Sequence, residues 1–168
     1  MGFTQKSKIK RYKERASYNE NDLNYILSKT LYCNVSFCED GQPIIIPMNF
    51  VYFEKEIYVH GSPKSRLIKE LSEGKNIALS FVYIENIAKS KSLCNYSMDY
   101  ASAVVFGYSS AVLNKNIKMK ILIELGKKVD PEGYKNAIPP GENEIDNVAV
   151  VRVDIKEFSL KSRIGFKF

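Results

Sequence analysis

The chain has 168 residues, a formal net charge of +6, 45% hydrophobic and 26% charged residues, three cysteines and one histidine. That length suits one domain with a good core, and the composition excludes a disordered chain. An odd cysteine count argues against a disulfide framework, and no run is apolar long enough to span a bilayer. The basic N-terminus is not followed by an apolar signal core, so no export signal is expected and a reducing cytoplasm is the expected compartment. Cys33 and Cys38 lie five apart on an expected strand and so face opposite sides. No C-x-x-C and no Cys/His cluster occurs, and a zinc site of the usual kind is not expected.

Residues 1–18 read as a basic arm, irregular or weakly helical, carrying Lys6-Ser7-Lys8-Ile9-Lys10-Arg11-Tyr12-Lys13-Glu14-Arg15. Asn19 to Asp22 offer N-caps, and Leu23, Ile26 and Leu27 form a helical stripe that ends near Lys29. Leu31, Cys33, Val35 and Phe37 alternate as a half-buried strand, and Asp40-Gly41 is a hairpin turn. Residues 43–53 form a second, strongly apolar strand, expected to be covered on both faces. Pro47 inside it marks an edge, a bulge or an interrupted ladder, which would leave backbone groups free for a ligand. Glu54-Lys55 makes a second tight turn into a strand ending at His60.

A helix over 63–72 follows, ended by Gly74 at the C′ position. Residues 76–84 are a strand with Ile77, Leu79, Phe81 and Tyr83 on one face, and 85–98 read as irregular. Residues 100–113 form a long strand in which Gly107 invites a bulge. Ile117, Ile121, Leu122 and Leu125 mark a helix over 115–128, weakened at Gly126. Residues 130–144, with three prolines, read as an exposed loop. A last strand spans 148–155, and residues 161–166 add a short tail strand. Six hairpin-linked strands and three peripheral helices make one α+β domain over residues 1–168, an antiparallel Greek-key or meander barrel.

The stretch around which this order is arranged is His60-Gly61-Ser62-Pro63-Lys64-Ser65-Arg66. Ser62 suits an N-cap and Pro63 the first helical position. Backbone N–H groups, the hydroxyls of Ser62 and Ser65 and the cations of Lys64 and Arg66 then surround one helix start. Two readings stand side by side: a phosphate cradle, and an ordinary capped helix with a solvated first turn.

Three motifs in order carry a resemblance. They are Ile45-Ile46-Pro47-Met48-Asn49-Phe50, then Ile57-Tyr58-Val59-His60-Gly61-Ser62 with Ser65-Arg66, then the run from Ser97 to Gly107 containing Tyr100-Ala101-Ser102. From about Arg11 to Arg163 the chain resembles the FMN-binding split-barrel proteins of the pyridoxamine 5′-phosphate oxidase-like superfamily, nearest to the Nim-type, nitroimidazole-resistance-related branch. The resemblance implies a six-stranded antiparallel split barrel, FMN at a homodimer interface, and a flavin-dependent reductase of a small molecule, with nitroimidazole-type compounds as candidates. It places the isoalloxazine against Pro47, Met48 and Asn49 and the phosphate at Ser65 and Arg66, with Gly61, Ser62 and Lys64 nearby. Tyr100 and Ser102 close the site. On their own, Met48, Phe50 and Tyr100 read equally as core and Ser102 as an outward strand residue.

By the same resemblance His60 lies beside the flavin as a proton donor or hydrogen-bonding group. The other readings are a histidine that satisfies polar groups at a strand end, and an axial haem ligand. Leu67 stands where the oxidases that name the superfamily carry a further basic residue. Arg163 without a histidine is a poor match to their substrate-phosphate cluster, which argues against vitamin B6 oxidation. The rival functions are a non-catalytic flavin- or haem-binding barrel and a nucleic-acid-binding barrel using Lys6–Arg15. The shortness of the basic run argues against the last.

Overall fold

The computed structural model describes residues 6–163. Seven strands run β1 (Ala16–Ser17), β2 (Tyr32–Glu39), β3 (Gln42–Phe53), β4 (Glu56–Gly61), β5 (Asn76–Ala88), β6 (Ser97–Ala111) and β7 (Ala149–Ser162). The helices are α1 (Glu20–Lys29), α2 (Arg66–Ser72), α3 (Lys115–Val129) and α4 (Glu142–Asp146). The sheet order is β1-β7-β4-β3-β2-β5-β6, and β6 also pairs with β7. Strands β2 to β7 therefore close on themselves as a six-stranded antiparallel barrel, and β1 is a two-residue addition to β7. Strands β2, β3 and β4 follow one another through hairpins, and β5 returns to lie beside β2, which is the Greek-key path.

Local chemistry explains the hairpins. Asp40 and Gly41 take φ 49° and 77°, and Glu54 and Lys55 take 51° and 68°. Two successive left-handed residues match the twist of the flanking strands. Inside the barrel, Cys33, Val35, Phe50, Val59, Leu79, Phe81, Ala103, Val105, Val153 and Leu160 are buried. Phe50 meets Phe81 edge to face with ring centroids 4.7 Å apart. Leu23, Ile26 and Leu27 of α1 and Leu67, Ile68 and Leu71 of α2 join the same core. Each contributes about 1.5–3 kcal/mol by burial. A second, outer cluster of Val51, Tyr58, Val112, Ile121 and Val150 seats α3 on the barrel.

Several elements differ from the sequence expectation. Strand β3 is covered on both faces only near Phe50 and Val51, where α3 packs on the outer one; before that Ile45, Pro47 and Asn49 point outward and Ile45 is 65% exposed. Helix α2 begins at Arg66, not Pro63, because Ser62 to Ser65 close a turn first. The Ser65 N–H donates to the Ser62 carbonyl at 2.9 Å, and the Lys64 N–H to Ser62 Oγ at 3.2 Å. Proline fits the second position of that turn, and Ser65 becomes the N-cap. Strands β5 and β6 extend as a hairpin into the region read as irregular, with a bulge between Ile84 and Asn86. Only Ile121 of the α3 stripe is buried, and α3 runs through Gly126 to Val129. The 130–144 segment holds a 3-10 turn (Gly133–Asn136) and the start of α4. Gly107 does sit at a bulge: β6 and β7 shift register between Phe106 and Gly107. Residues 161–162 belong to β7, and 164–166 of the expected tail strand lie outside the described residues.

Candidate functional site: a seam between β3 and β4

The barrel opens between β3 and β4. Their ladder ends at Phe50↔Val59, while β3 continues back to Gln42 paired only with β2. The two tight hairpins fix which backbone groups face which neighbour. Residues flanking a two-residue turn exchange hydrogen bonds, so Gln42, Ile44, Ile46 and Met48 bond to β2. Pro43, Ile45, Pro47 and Asn49 then face the open side. The pattern accounts for both prolines, since neither must donate to a ladder there. The N–H groups of Ile45 and Asn49 and the carbonyls of all four line a free edge.

Across the seam runs the segment from His60 to Arg66. His60 would be the next partner of Asn49, but it has left β3 and pairs only with Val150 of β7. Its Nδ1 is buried and has no hydrogen-bond partner. Burial holds the imidazole pKa below its usual value, so the ring is neutral at pH 7. Gly61 lies close to the barrel interior: a Cβ there would sit 3.0 Å from Ile68 Cγ1 and 3.8 Å from Met48 Cε. Ser65 is the N-cap of α2 but makes no side-chain capping bond, so its hydroxyl and the first N–H groups of the helix are not tied to each other. Arg66 is 65% exposed and pairs with Glu39 at 3.4 Å. That contact ties the segment to the hairpin between β2 and β3.

The expected site residues are thus divided. Pro47 and Asn49 lie on the free edge of β3, and His60, Gly61, Ser62, Ser65 and Arg66 follow one another on the segment that leaves β3 after Val59. Met48 is on the same strand, but its side chain packs against the core and its backbone faces Cys33 of β2. Tyr100 and Ser102 are elsewhere. They lie on β6, three strands from β3 by either path round the barrel. Ser102 donates to the Lys161 carbonyl at 3.3 Å, and the Tyr100 carbonyl accepts from Arg163 N–H at 3.0 Å. One copy of the chain does not bring the two walls together. Cavities of about 420 Å³, bounded by α1, β3 and α3, and about 520 Å³, over β2, β5 and β6, contain none of the expected residues. Among the described residues no three His, Cys, Asp or Glu side chains converge on a point that could hold a metal ion. No helix of the described residues is long and apolar enough to cross a membrane.

Lys128 is not among the expected site residues, and Arg163 reads in the sequence as a poor match. Lys128 reads as a helix-end cation, yet its Nζ lies 3.3 Å from the Phe50 ring centroid and donates to the Leu27 carbonyl at 2.9 Å. The buried Arg163 Nη1 has no partner.

A split six-stranded barrel with an open seam defines a class, and comparison with known proteins agrees. Residues 19–162 match the family described as pyridoxamine 5′-phosphate oxidase, and the chain belongs to that family. No curated protein matches. Among solved structures, the flavocytochrome Anf3 from Azotobacter vinelandii is 25% identical, covering 96% of this chain and 75% of that one, with a TM-score of 0.86. The FAD and haem binding protein from Mycobacterium smegmatis is 23% identical over 92% and 76% of the two chains, with a TM-score of 0.83. A protein from Bacteroides thetaiotaomicron, assigned to 5-nitroimidazole antibiotic resistance, is 20% identical over 87% and 85%, with a TM-score of 0.70.

Proposed function

We propose that this chain binds FMN at the seam and is a flavin-dependent reductase of a small molecule, with nitroimidazole-type compounds as candidate acceptors. The observation that carries the reading is the free edge of β3 where β4 leaves it after Val59, with Ser65 and Arg66 at the start of α2 following on. A flavin needs an apolar wall, a few donors and acceptors at its pyrimidine edge and a receptor for a phosphate dianion. Pro47 and the backbone of Ile45 and Asn49 supply the first two. Ser65, Arg66 and the Ser62 hydroxyl supply the third, once Arg66 exchanges Glu39 for a stronger anion. When bound, the flavin would carry the electrons. His60, neutral and with an orphaned Nδ1, would hold or deliver a proton beside it.

Tyr100 and Ser102 enter this reading through a second copy of the chain. In a homodimer the β6 wall of one protomer covers the seam of its partner and excludes water from it. Titrating the purified chain with FMN tests the reading; Arg66→Gln should weaken FMN about tenfold or more while riboflavin, which lacks the phosphate, binds both forms alike.

A second reading is a non-catalytic flavin- or haem-binding barrel. The likeness to a flavocytochrome and to an FAD and haem binding protein favours it. A flavin-loaded chain that accepts no electrons from NADH or NADPH and turns over no acceptor would select this second reading.

A further inference from the structure

Between Arg11 and Ser17 the basic arm lies along the barrel, with Arg11, Tyr12 and Lys13 exposed to solvent. It folds back on the end of β7, where Ala16 and Ser17 pair with Lys161 and Leu160. Three cations converge on one ring there. The Arg15 guanidinium lies 4.4 Å from the Tyr12 ring centroid, that of Arg11 4.8 Å, and Lys161 Nζ 5.5 Å. Tyr12 itself is held at φ 56°, a conformation costly for a side chain of that size. Lys161 Nζ donates to the Arg11 carbonyl at 3.2 Å and fixes the arm in place. One ladder step further on, Arg163 bonds Tyr100 through its backbone, and its buried Nη1 meets no acceptor.

Against the three cations on the Tyr12 ring, with Arg163 two residues beyond Lys161 on the same strand, the described residues set one paired carboxylate. Glu14 lies 3.8 Å from Arg15 Nε, a loose pair with Glu14 67% exposed. Like charges gathered round one ring repel, and a guanidinium N–H buried without an acceptor costs stability. Both penalties vanish if an anion with several oxygens sits among them. Guanidinium forks suit phosphate oxygens in particular. The cluster is compact, gathered on one ring rather than drawn out as a stripe, so it fits a small polyanion better than a strand of nucleic acid.

We propose that Arg11, Arg15, Lys161 and Arg163 form an anion site, separate from Arg66, that takes the diphosphate of a nucleotide. It adjoins Ser102 through Lys161 and Tyr100 through Arg163. It stands whether or not the seam holds FMN. The diphosphate has two possible sources with the same chemistry: the ADP half of a nicotinamide reductant, and the diphosphate of a dinucleotide flavin, whose flavin-side phosphate would then sit here and not at Arg66.

The test is calorimetric titration of the full chain at low ionic strength with ADP, FMN, FAD and NADP⁺. The variants are Arg15→Gln/Lys161→Gln and, separately, Arg163→Gln. The latter removes a guanidinium whose buried Nη1 has no hydrogen-bond partner among the described residues, so it keeps the test valid if the double variant unfolds. ADP is expected to bind the parent and to lose about tenfold or more in affinity in either variant, with FMN affinity unchanged. A parallel loss for FAD alone identifies the flavin as the source; a loss for NADP⁺ alone identifies the reductant. ADP that fails to bind the parent, or binds Arg163→Gln as tightly as the parent, overturns the proposal. So does a preference for a single-stranded oligonucleotide over ADP that the same variants abolish. Failure of FMN to bind, with ADP behaving as expected, would count against the seam and leave this site standing.

Discussion

Replacing Lys128 by methionine keeps most of the side-chain volume and removes its charge. In the folded chain that charge is costly. Burial against Phe50 and α1 lowers the lysine pKa from 10.5 to about 8. Between those values the unfolded chain holds a proton that the folded chain has shed, so stability rises with pH across this window. At about 1.4 kcal/mol per pKa unit the full depression corresponds to about 3 kcal/mol, and partial solvent access to the side chain reduces it to about 1–2 kcal/mol. Cys33 works in the opposite direction. Burial pushes its thiol from 9.0 up to about 12, so the unfolded chain loses that proton first and stability falls above pH 9. The informative quantity is therefore the difference between parent and Lys128→Met, in which the burial of Cys33 is common to both and only the lowering of its thiol by the Lys128 charge is lost. Urea unfolding at a series of fixed pH values from 7 to 11 measures it. The parent should gain about 1–2 kcal/mol on the variant between pH 8 and pH 10.5. A difference that stays flat across the window would show that Lys128 is solvated and that the end of the barrel is not packed as described.

Other substitutions test other parts of the structure. Gly107→Ala should destabilise by about 1–3 kcal/mol in urea, because its Cβ would stand 2.6 Å from the Asp154 carbonyl and 2.7 Å from Val153 Cγ1. An unchanged midpoint would mean that the β6–β7 bulge is looser than it looks. Cys38 and Cys94 are exposed and Cys33 is buried, so a thiol reagent should modify two cysteines in the native chain and the third only in denaturant. His60→Gln should retain FMN and lose turnover at least tenfold; unchanged turnover would leave His60 a spectator at the seam. Arg66→Gln should shift stability by no more than about 1 kcal/mol, since an exposed pair with Glu39 contributes little, while weakening FMN as described above.

Much of the fold could be read from local chemistry. Asp40-Gly41 announced its hairpin, and the alternation at Cys33, Val35 and Phe37 matches the inward face of β2. Pro47 pointed to an edge, and the edge is real on the β4 side of β3. What failed depended on tertiary context. The far part of the β5–β6 hairpin carries Ile87, 61% exposed, and Leu93, 85% exposed, so neither face is buried and no period appears in the sequence. The start of α2 was misplaced because Ser62-Pro63 serves a turn as readily as a helix cap. The seam residues were recoverable because they are close in sequence or on neighbouring strands. The separation of Tyr100 and Ser102 from them was not, since only barrel closure decides which strands stand opposite. Lys128 escaped notice because a basic residue in a last turn normally needs no further explanation.

The central claim is that the open seam between β3 and β4 holds a flavin. An absorbance spectrum of the purified full-length chain, taken before and after incubation with FMN and gel filtration, tests it most directly. The account predicts the bands of oxidised flavin at about one per chain. A colourless protein that retains no added FMN, or one that shows only a haem spectrum, would contradict it.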